Sequence, residues 1–297
     1  MFEVQILDPV TDFPRLSNLL NLIGSAETTE QAQREQTESL AGLGFFGQWV
    51  IPDPEDQNRL IAQASLFKLS STPYAEFTIS IDPDFGQHNL NTLLLYAIRG
   101  EAKKQRATYI SAFANQTNPS LESFLLEHRF KIDGAFRSLE LEVPRALPVV
   151  NIDSQVRIST HEQVQNLSIL VEIANRGWAD LPGHKIATFE IIQRNLEASP
   201  EEQIFLAFDG AGNVAAQVGI AIHGGVGKID SPGIAREYRT PELYKQLVLL
   251  GLHELQNKGC KQVQMYSWGD SDSTIAAYTD LGFQITAHED RYKLDLI

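Results

Sequence analysis

The organisation of this chain follows from residues Glu237–Phe283, EYRTPELYKQLVLLGLHELQNKGCKQVQMYSWGDSDSTIAAYTDLGF, which align without a gap with Asp84–Phe130. Both segments run through a helix-opening loop, a helix, an apolar strand and a second helix that ends in LGF or HRF. An alternating strand follows each copy, Ala135–Val143 after the first and Asp290–Leu296 after the second. A repeat of this length in a chain of 297 residues predicts two domains of one fold.

The boundary between the two predicted domains lies in VPRALPVVNIDSQ, residues 143–155, where two prolines remove backbone donors between two strand patterns. We therefore predict domains at residues 1–146 and 153–297. In each half, strand patterns dominate early and alternate with helical patterns later. This order predicts an α/β class in which each domain is a mixed, mostly antiparallel sheet with helices on both faces.

The composition argues against several classes of function. A net charge of −14 disfavours a nucleic-acid-binding surface and adhesion to anionic membranes, because both need clustered Lys and Arg. The single cysteine, Cys260, excludes an internal disulfide, and we expect no metal site. The N-terminal residues MFEVQILDP carry no targeting pattern, and no apolar run is long enough for a membrane span. We expect a cytoplasmic protein, monomeric or homodimeric.

The run IAREYRTPELYKQLVLLGLHEL, continued by GCKQVQMYSWGDSDSTIAAYTDLGF, resembles the GNAT superfamily of acyl-CoA N-acyltransferases. The resemblance extends over most of residues 156–297 and, more faintly, over the first half through the repeat. It implies two tandem GNAT-like domains of the kind found in proteins similar to mycothiol synthase. It also implies acetyl-CoA or another acyl-CoA as cosubstrate.

The resemblance implies a coenzyme site at the start of the main helix, whose unpaired N–H groups and dipole attract the pyrophosphate. Arg239 is retained there, whereas Glu242 and Tyr244 replace the glycines of the family pattern and Pro241 has no N–H. Backbone groups of the fourth strand would bind the pantetheine arm and polarise the thioester carbonyl. The implied coenzyme-binding residues are Gly233, Ile234, Ala235, Arg239, Thr240, Leu243, Tyr244 and Trp268.

Tyr278 in IAAYTDLGF occupies the position at which family members often carry a tyrosine that protonates the departing CoA thiolate. The first copy has Leu125 at the matching place, so the resemblance assigns catalysis to the second half. The structural alternative is that Tyr278 only packs on the sheet.

The segment NRGWADLPGHK, Asn175–Lys185, is similar to an acceptor-side sequence of tandem GNAT proteins. Trp178, Asp180 and His184 are therefore candidate acceptor-binding residues, and Asp230, in the predicted fourth strand over residues 228–234 and near the expected cleft, is a further one. Asp230, Glu237 and His184 are candidate general bases. The alternative for this segment is a helix end and a Pro-Gly turn that packs Trp178 into the core.

These observations predict an acyl-CoA-dependent N-acyltransferase that acts on a small-molecule amine by direct transfer in the C-terminal domain. The alternative is a catalytically inactive GNAT-fold binding or scaffold protein, which the loss of the glycines favours. A third possibility is a single active site formed by both halves. Fold resemblance by itself does not establish which of these holds.

Overall fold

The computed structural model describes residues 2–24, 29–70, 72–115, 119–152, 156–181, 184 and 186–296. The chain divides into two compact units. Unit 1 consists of Met1–Asp133 with Arg291–Ile297, and unit 2 of Gly134–Asp290. Residues 153–155 of the predicted linker lie outside the described part of the chain.

Unit 1 is a mixed sheet with helices. Its elements are β1 (Gln5–Ile6), α1 (Phe13–Leu22), α2 (Glu30–Leu43), β2 (Gly44–Pro52), β3 (Leu60–Leu69), β4 (Tyr74–Ile81), a 3₁₀ turn (Pro83–His88), α3 (Leu90–Lys104), β5 (Tyr109–Asn115) and α4 (Pro119–Glu127). Strands β1 to β5 are adjacent in chain order. All these pairs are antiparallel except β4 with β5, which is parallel.

Unit 2 repeats this plan. Its elements are β6 (Lys131–Glu142), β7 (Arg157–Thr160), α5 (His161–Val164), α6 (Leu167–Gly177), α7 (Phe189–Ala198), β8 (Gln203–Phe208), β9 (Val214–His223), β10 (Val226–Asp230), β11 (Gly233–Ile234), a 3₁₀ turn (Arg236–Tyr238), α8 (Pro241–Asn257), β12 (Gln262–Trp268), α9 (Asp272–Thr279) and β13 (Gln284–Asp295). The residues of β6 from Gly134 onward and those of β13 as far as Asp290 belong to unit 2, and the rest of both strands belongs to unit 1. The strand order is β7-β8-β9-β10-β12-β6, with β10 and β12 parallel.

The two aligned segments of the sequence form the same elements in the same order. Helix α3 corresponds to α8, β5 to β12, and α4 to α9. The predicted mixed sheets with helices are confirmed. The apolar pattern of residues 60–69 predicts a strand, and β3 has those bounds.

The strand that follows each repeat belongs to a different unit from the one that the predicted domain boundaries give it. Strand β6, which follows the first copy, pairs antiparallel with β12 in unit 2. The last residues of the chain belong to unit 1, where the amide of Leu296 donates to the carbonyl of Thr108 at 2.9 Å. The hydroxyl of Tyr292 donates to Glu122 at 2.9 Å in the same unit. A strand pattern does not specify which sheet accepts the strand, and two similar sheets offer equivalent neighbours.

Two predicted elements are each divided in the structure. The predicted helix over residues 162–176 becomes α5 and α6, because Gln165 adopts a left-handed conformation with φ of 51°. The predicted fourth strand over residues 228–234 becomes β10 and β11, separated by Ser231 and Pro232. Pro232 has no N–H with which to continue a ladder.

The two faces of the unit 2 sheet carry different helices. Helix α8 packs against β9 and β10, whereas α6 packs against β9 and β11 and contacts α7. Successive side chains of a strand point to opposite faces. Ile229 lies on the α8 face, near Gly251, and Asp230 lies on the α6 face, with Trp178. The end of β10 therefore presents adjacent side chains to two separate layers.

No helix in the described residues is both long and apolar enough to cross a membrane.

The exchange of closing strands leads to a test by hydrogen exchange. Tyr292 is 1 % exposed within the unit 1 core. We expect Tyr292→Ala to cost about 3 to 5 kcal/mol of local stability and to lower amide protection in Tyr109–Asn115, not in Gln262–Trp268. Leu139→Ala, which removes a buried β6 side chain from the unit 2 core, should give the reverse pattern. Loss of protection in β12 on Tyr292→Ala would contradict the strand assignment.

Candidate functional site

The candidate site of unit 2 lies where β10 and β12 separate. Their parallel pairing ends at Asp230 and Tyr266, and β12 continues to Trp268. Two cavities adjoin this gap. The Trp268 cavity, about 350 Å³, is lined by Trp178, Leu181, His184, Asp230, Ser231, Tyr266 and Trp268. The Arg239 cavity, about 340 Å³, is lined by Asp180, Leu181, Arg239, Thr240, Pro241, Tyr244, Gly269, Asp270, Ser271, Ser273 and Thr274.

Tyr278 is fully buried beside this gap and belongs to a hydrogen-bonded group. Its hydroxyl lies 3.4 Å from Oγ of Ser231, which donates to Oδ2 of Asp270 at 2.6 Å. Ser267 donates to the same carboxylate oxygen at 2.7 Å. Because the Ser231 hydroxyl donates its hydrogen bond to Asp270, its oxygen is free to accept a hydrogen bond from the Tyr278 hydroxyl.

The protonation states in this group follow from burial. Burial, with the nearby Asp270 carboxylate, raises the pKa of Tyr278 well above its ordinary value, so the phenol keeps its proton at neutral pH. Burial also raises the pKa of Asp270, although its two serine hydrogen bonds oppose the shift. Tyr244 packs edge-on against Tyr278, with ring centroids 6.4 Å apart, and burial raises its pKa to about 12. Tyr278 is thus a proton donor with a polar route, through Ser231, into the Trp268 cavity.

Arg239 lies near the predicted coenzyme site, but its guanidinium is already engaged. Nη1 and Nη2 each donate to a carboxylate oxygen of Asp180 at 2.7 Å. Nη2 also donates to the carbonyl of Gly177 at 2.9 Å, and Nε to that of Ile234 at 2.8 Å. The hydrogen bonds from Arg239 hold the pKa of Asp180 below its usual range. Arg239, predicted to bind the coenzyme, and Asp180, predicted to bind the acceptor, therefore form one ion pair.

The start of α8 offers few donors to an anion. Thr240 caps the helix and accepts from the amide of Leu243 at 3.1 Å, and the amide of Tyr244 donates to the Thr240 carbonyl. Pro241 has no N–H, which leaves Glu242 as the first-turn amide without an acceptor among the described residues. The Glu242 carboxylate accepts from Gln246 at 2.5 Å and so lies along the helix. The helix end is a poorer phosphate site than the family pattern implies.

Gly233, Ile234 and Ala235, predicted to bind the coenzyme through main-chain groups, follow β10 along the same edge of β9. Gly233 and Ile234 form β11, which pairs with β9, and the Ala235 amide donates to the Ala215 carbonyl at 2.9 Å. A Cβ on Gly233 would lie 2.9 Å from the Trp178 ring. These three residues are buried and packed against α6; the Ser231–Pro232 step inserts one extra residue relative to β9, and β11 then continues the pairing with β9 that β10 began.

Three of the four predicted acceptor-binding residues, Trp178, His184 and Asp230, line the Trp268 cavity together. Burial lowers the pKa of His184, so its imidazole is neutral near pH 7, and its Nε2 is buried with no hydrogen-bond partner among the described residues. Burial raises the pKa of Asp230. Asp180, the fourth predicted acceptor-binding residue, lines the Arg239 cavity instead and is paired with Arg239. Residues 182, 183 and 185 of the predicted acceptor segment lie outside the described residues.

Two further candidates lie away from the cavities. Glu237, considered as a base, forms an ion pair with Arg176 at the surface. Leu243 is partly buried and packs against the unit 2 core. No group of three or more His, Cys, Asp or Glu side chains in the described residues is placed to hold a metal ion.

A third cavity, about 150 Å³, contains residues that sequence reasoning missed. This Glu202 cavity is lined by Leu170, Trp178, Ile192, Asn195, Leu196, Glu202, Ile204, Gln217, Gly219 and Asp230. A glycine inside a strand, as in VAAQVGIAIH, often marks close approach by another group, so Gly219 was a usable signal. Glu202, in the polar run SPEEQ, and Asp270, in WGDSD, gave none.

Unit 1 contains a cavity of its own, about 530 Å³, beside the ends of β4 and β5. The two strands pair only over Tyr74–Glu76 and Tyr109–Ser111, although both extend further. Leu125, which corresponds to Tyr278, is fully buried and has no proton to donate. Within its described residues, unit 1 thus has a gap without the hydrogen-bonded group found in unit 2.

Comparison with known proteins relates this geometry to one fold. No known family profile matches the chain. A mycothiol acetyltransferase of Thermobifida fusca is 22% identical over 283 residues, covering 88% of this chain and 87% of that protein. A mycothiol acetyltransferase of Corynebacterium efficiens is 43% identical over 53 residues, only 18% of either chain.

Solved structures support the same assignment. A GCN5-related N-acetyltransferase from Sphaerobacter thermophilus superposes with a TM-score of 0.70 at 14% identity, covering 99% of this chain and 96% of that one. A tandem GNAT protein from the clavulanic acid biosynthesis pathway has a TM-score of 0.62 at 14% identity, covering 100% and 99%. The chain has the tandem GNAT fold, and the resemblance inferred from its sequence is confirmed at that level.

The Glu202 carboxyl leads to a prediction about stability and pH. Burial, with repulsion from Asp230 and Glu201, raises the pKa of Glu202 to about 7. The folded protein therefore binds this proton more tightly than the unfolded chain, and the stability contributed by the neutral carboxyl is lost as pH rises from about 4.5 to 7. We expect Glu202→Gln to raise the melting temperature at pH 8 and to leave it nearly unchanged at pH 4.5.

Thermal unfolding at both pH values would measure this effect. Glu201→Gln, which removes a neighbouring and more exposed charge, serves as the control and should change the melting temperature less. A Glu202→Gln protein that is less stable at pH 8 would contradict the prediction.

Proposed function

We propose that unit 2 is an acyl-CoA-dependent N-acyltransferase, with acetyl-CoA as cosubstrate, that acylates a small-molecule amine by direct transfer. The observation that carries this proposal is the Tyr278–Ser231–Asp270 group beside the gap between β10 and β12. The GNAT fold supports the coenzyme, and the acetyl group rests on the names of the relatives. Unit 1, with Leu125 at the place of Tyr278, is not proposed to catalyse.

The gap suits the thioester arm of the coenzyme. Beyond Tyr266, β12 has no strand partner on its β10 side among the described residues, so its main chain can pair with the amides of a pantetheine arm. An arm in this position would pass Trp268 and bring the thioester to Ser231. The main-chain role predicted for Gly233–Ala235 stays part of this proposal.

The acceptor amine would enter the Trp268 cavity and attack the thioester carbonyl carbon directly. The C–N bond forms, the C–S bond breaks, and the departing thiolate takes a proton from Tyr278, directly or through the Ser231 hydroxyl. The attacking nitrogen loses its proton to a base. Asp230 and the neutral His184 line the same cavity and are the residues placed to accept it. The burial that raises the pKa of Tyr278 also destabilises a thiolate formed beside it, and this favours the proton transfer.

Arg239 would contribute to coenzyme binding in competition with Asp180. The pyrophosphate would approach the start of α8, where the Glu242 amide and the Arg239 cavity lie. The bidentate Asp180 contact occupies the two guanidinium nitrogens that a phosphate would use. Asp180 is therefore proposed to weaken coenzyme binding, and not to bind the acceptor.

The competing proposal is a GNAT-fold binding protein without catalytic activity. The few free donors at the start of α8 and the engaged Arg239 favour it. The two proposals differ in one measurement, because a binding protein takes up acetyl-CoA or an amine without forming CoA thiol. Release of free thiol in the presence of an amine series would favour the enzyme.

A first prediction from this mechanism concerns Tyr278. We expect Tyr278→Phe to lower kcat at least tenfold, about 1.4 kcal/mol of barrier, with little change in acetyl-CoA affinity, because only the proton donor is lost. Steady-state kinetics and calorimetric titration would measure the two quantities. The matched control is Tyr238→Phe, which removes a hydroxyl bonded to Asp209 outside the cavities and should keep activity. Unchanged turnover in Tyr278→Phe would remove Tyr278 from the mechanism.

A second prediction concerns the ion pair. We expect Asp180→Asn to tighten acetyl-CoA binding by up to about fivefold, the equivalent of about 1 kcal/mol for a partly exposed pair, and Arg239→Ala to weaken it. Calorimetric titration would measure both. Glu172→Gln, which removes a carboxylate paired with Arg176 on α6, is the control and should leave the affinity unchanged. Weaker binding in Asp180→Asn would show that Arg239 does not receive the coenzyme.

A further inference from the structure

The Glu202 cavity lies on the α6 and α7 face of the unit 2 sheet, next to the Trp268 cavity. The two cavities share Trp178 and Asp230. The mechanism above uses the Trp268 cavity for the reacting amine and gives the Glu202 cavity no role. Its apolar side chains come mainly from the helices; of its polar side chains, Asn195 comes from α7, and Glu202, Gln217 and Asp230 come from the sheet side.

Two carboxylates converge over one glycine in this cavity. A Cβ built on Gly219 would lie 2.6 Å from Oδ2 of Asp230 and 2.8 Å from Oε1 of Glu202. Neither carboxylate forms an ion pair or a hydrogen bond with any described residue. Two like charges brought together in this way repel each other unless a proton or a cation lies between them.

Gln217 is a second and independent indication of a ligand. It is two residues before Gly219 on β9, so both lie on the same face of the sheet. Gln217 is 8 % exposed and lines the cavity, and its side-chain amide has no hydrogen-bond partner among the described residues. The amide atoms of Gln217 are accessible from the cavity and are free to hydrogen-bond a polar occupant.

The shape of the cavity limits the size of that occupant. About 150 Å³ is roughly five times the volume that one water occupies in the liquid, about 30 Å³. This volume holds a charged nitrogen and a few methylene groups. The apolar side chains of Leu170, Ile192, Leu196 and Ile204 suit the methylenes, while the carboxylates and Gln217 suit the nitrogen.

We propose that the Glu202 cavity binds a protonated nitrogen of the acceptor that is not the nitrogen acylated, so that the acceptor is a small diamine. The proposal rests on the proposed function, which places the reacting amine in the Trp268 cavity. A nitrogen held between two carboxylates keeps its proton and is therefore no nucleophile, and with Asp230 engaged in this way His184 is the base for the attacking nitrogen. The nucleophile must be a second nitrogen, which reaches the Trp268 cavity past Trp178 and Asp230.

Direct binding without acetyl-CoA tests this proposal. The probes are α,ω-diamines of three to five carbons, each compared by calorimetry at pH 8 with the monoamine of the same chain length. We expect at least one diamine to bind the wild-type protein tenfold more tightly than its monoamine. Glu202→Gln should abolish this preference, and Glu201→Gln, the neighbouring charge outside the cavity, should keep it.

Loss of folding does not confound this experiment, because Glu202→Gln is expected to be more stable at pH 8 than the wild-type protein. A merely structural residue would not combine higher stability with lost diamine preference. Gly219→Ala is a second variant that keeps both carboxylates but forces them apart, and it too should lose the preference.

Several results would overturn the assignment. Equal affinity for diamines and monoamines would do so, as would a preference that survives Glu202→Gln. Stabilisation by potassium or magnesium ions alone, lost in Glu202→Gln, would assign the cavity to a metal cation instead. Diamine binding without acyl transfer would refute the proposed function and leave the cavity assignment intact. Acylation of monoamines with no diamine preference would overturn the cavity assignment alone.

Discussion

The guanidinium of Arg239 holds together the part of unit 2 on which the candidate site depends. It donates to the carbonyls of Gly177 and Ile234 and to both oxygens of Asp180. The end of α6 and β11 can meet main chain to main chain only because both positions are glycine, since a Cβ on Gly177 would lie 2.7 Å from the Gly233 carbonyl carbon. This contact places Trp178 over Gly233 and makes it a shared wall of two cavities.

The unit 2 sheet separates the hydroxyl groups proposed to transfer a proton from the polar side chains of the Glu202 cavity. Ser231 and Tyr278 lie on the α8 side of the sheet, and Asp230, Glu202 and Gln217 lie on the α6 side. Burial raises the pKa of Asp230, Asp270 and Glu202, so each ionised carboxylate destabilises the folded protein. Acids with raised pKa values that line cavities and have no ion-pair partner among the described residues are typical of functional sites, where stability is given up for binding or catalysis.

The parts of the site that were predicted from sequence are those carried by a local motif. Tyr278 stands in A-x-Y-x-x-L-G-F on one helix, and Trp178, His184 and Asp230 were each assigned to the acceptor side, where the structure brings them into one cavity. The ion pair of Arg239 with Asp180 was missed, because the two residues are 59 positions apart and each fitted a different subsite. Glu202 was missed because an acidic loop residue looks the same in sequence whether or not a neighbouring strand brings a second carboxylate to it.

The amino-acid sequence by itself determined the order of elements, the mixed sheets and the GNAT fold, because helical and strand periodicity and the long internal alignment are properties of neighbouring residues. Tertiary structure alone decided that β6 completes unit 2 and that the end of β13 completes unit 1. It also decided that Gly233 and Ile234 pair with β9, and that Asp230 and Glu202 meet over Gly219. These outcomes depend on which distant segments pack together, and such pairings arise from the packing of the whole chain and not from any local pattern.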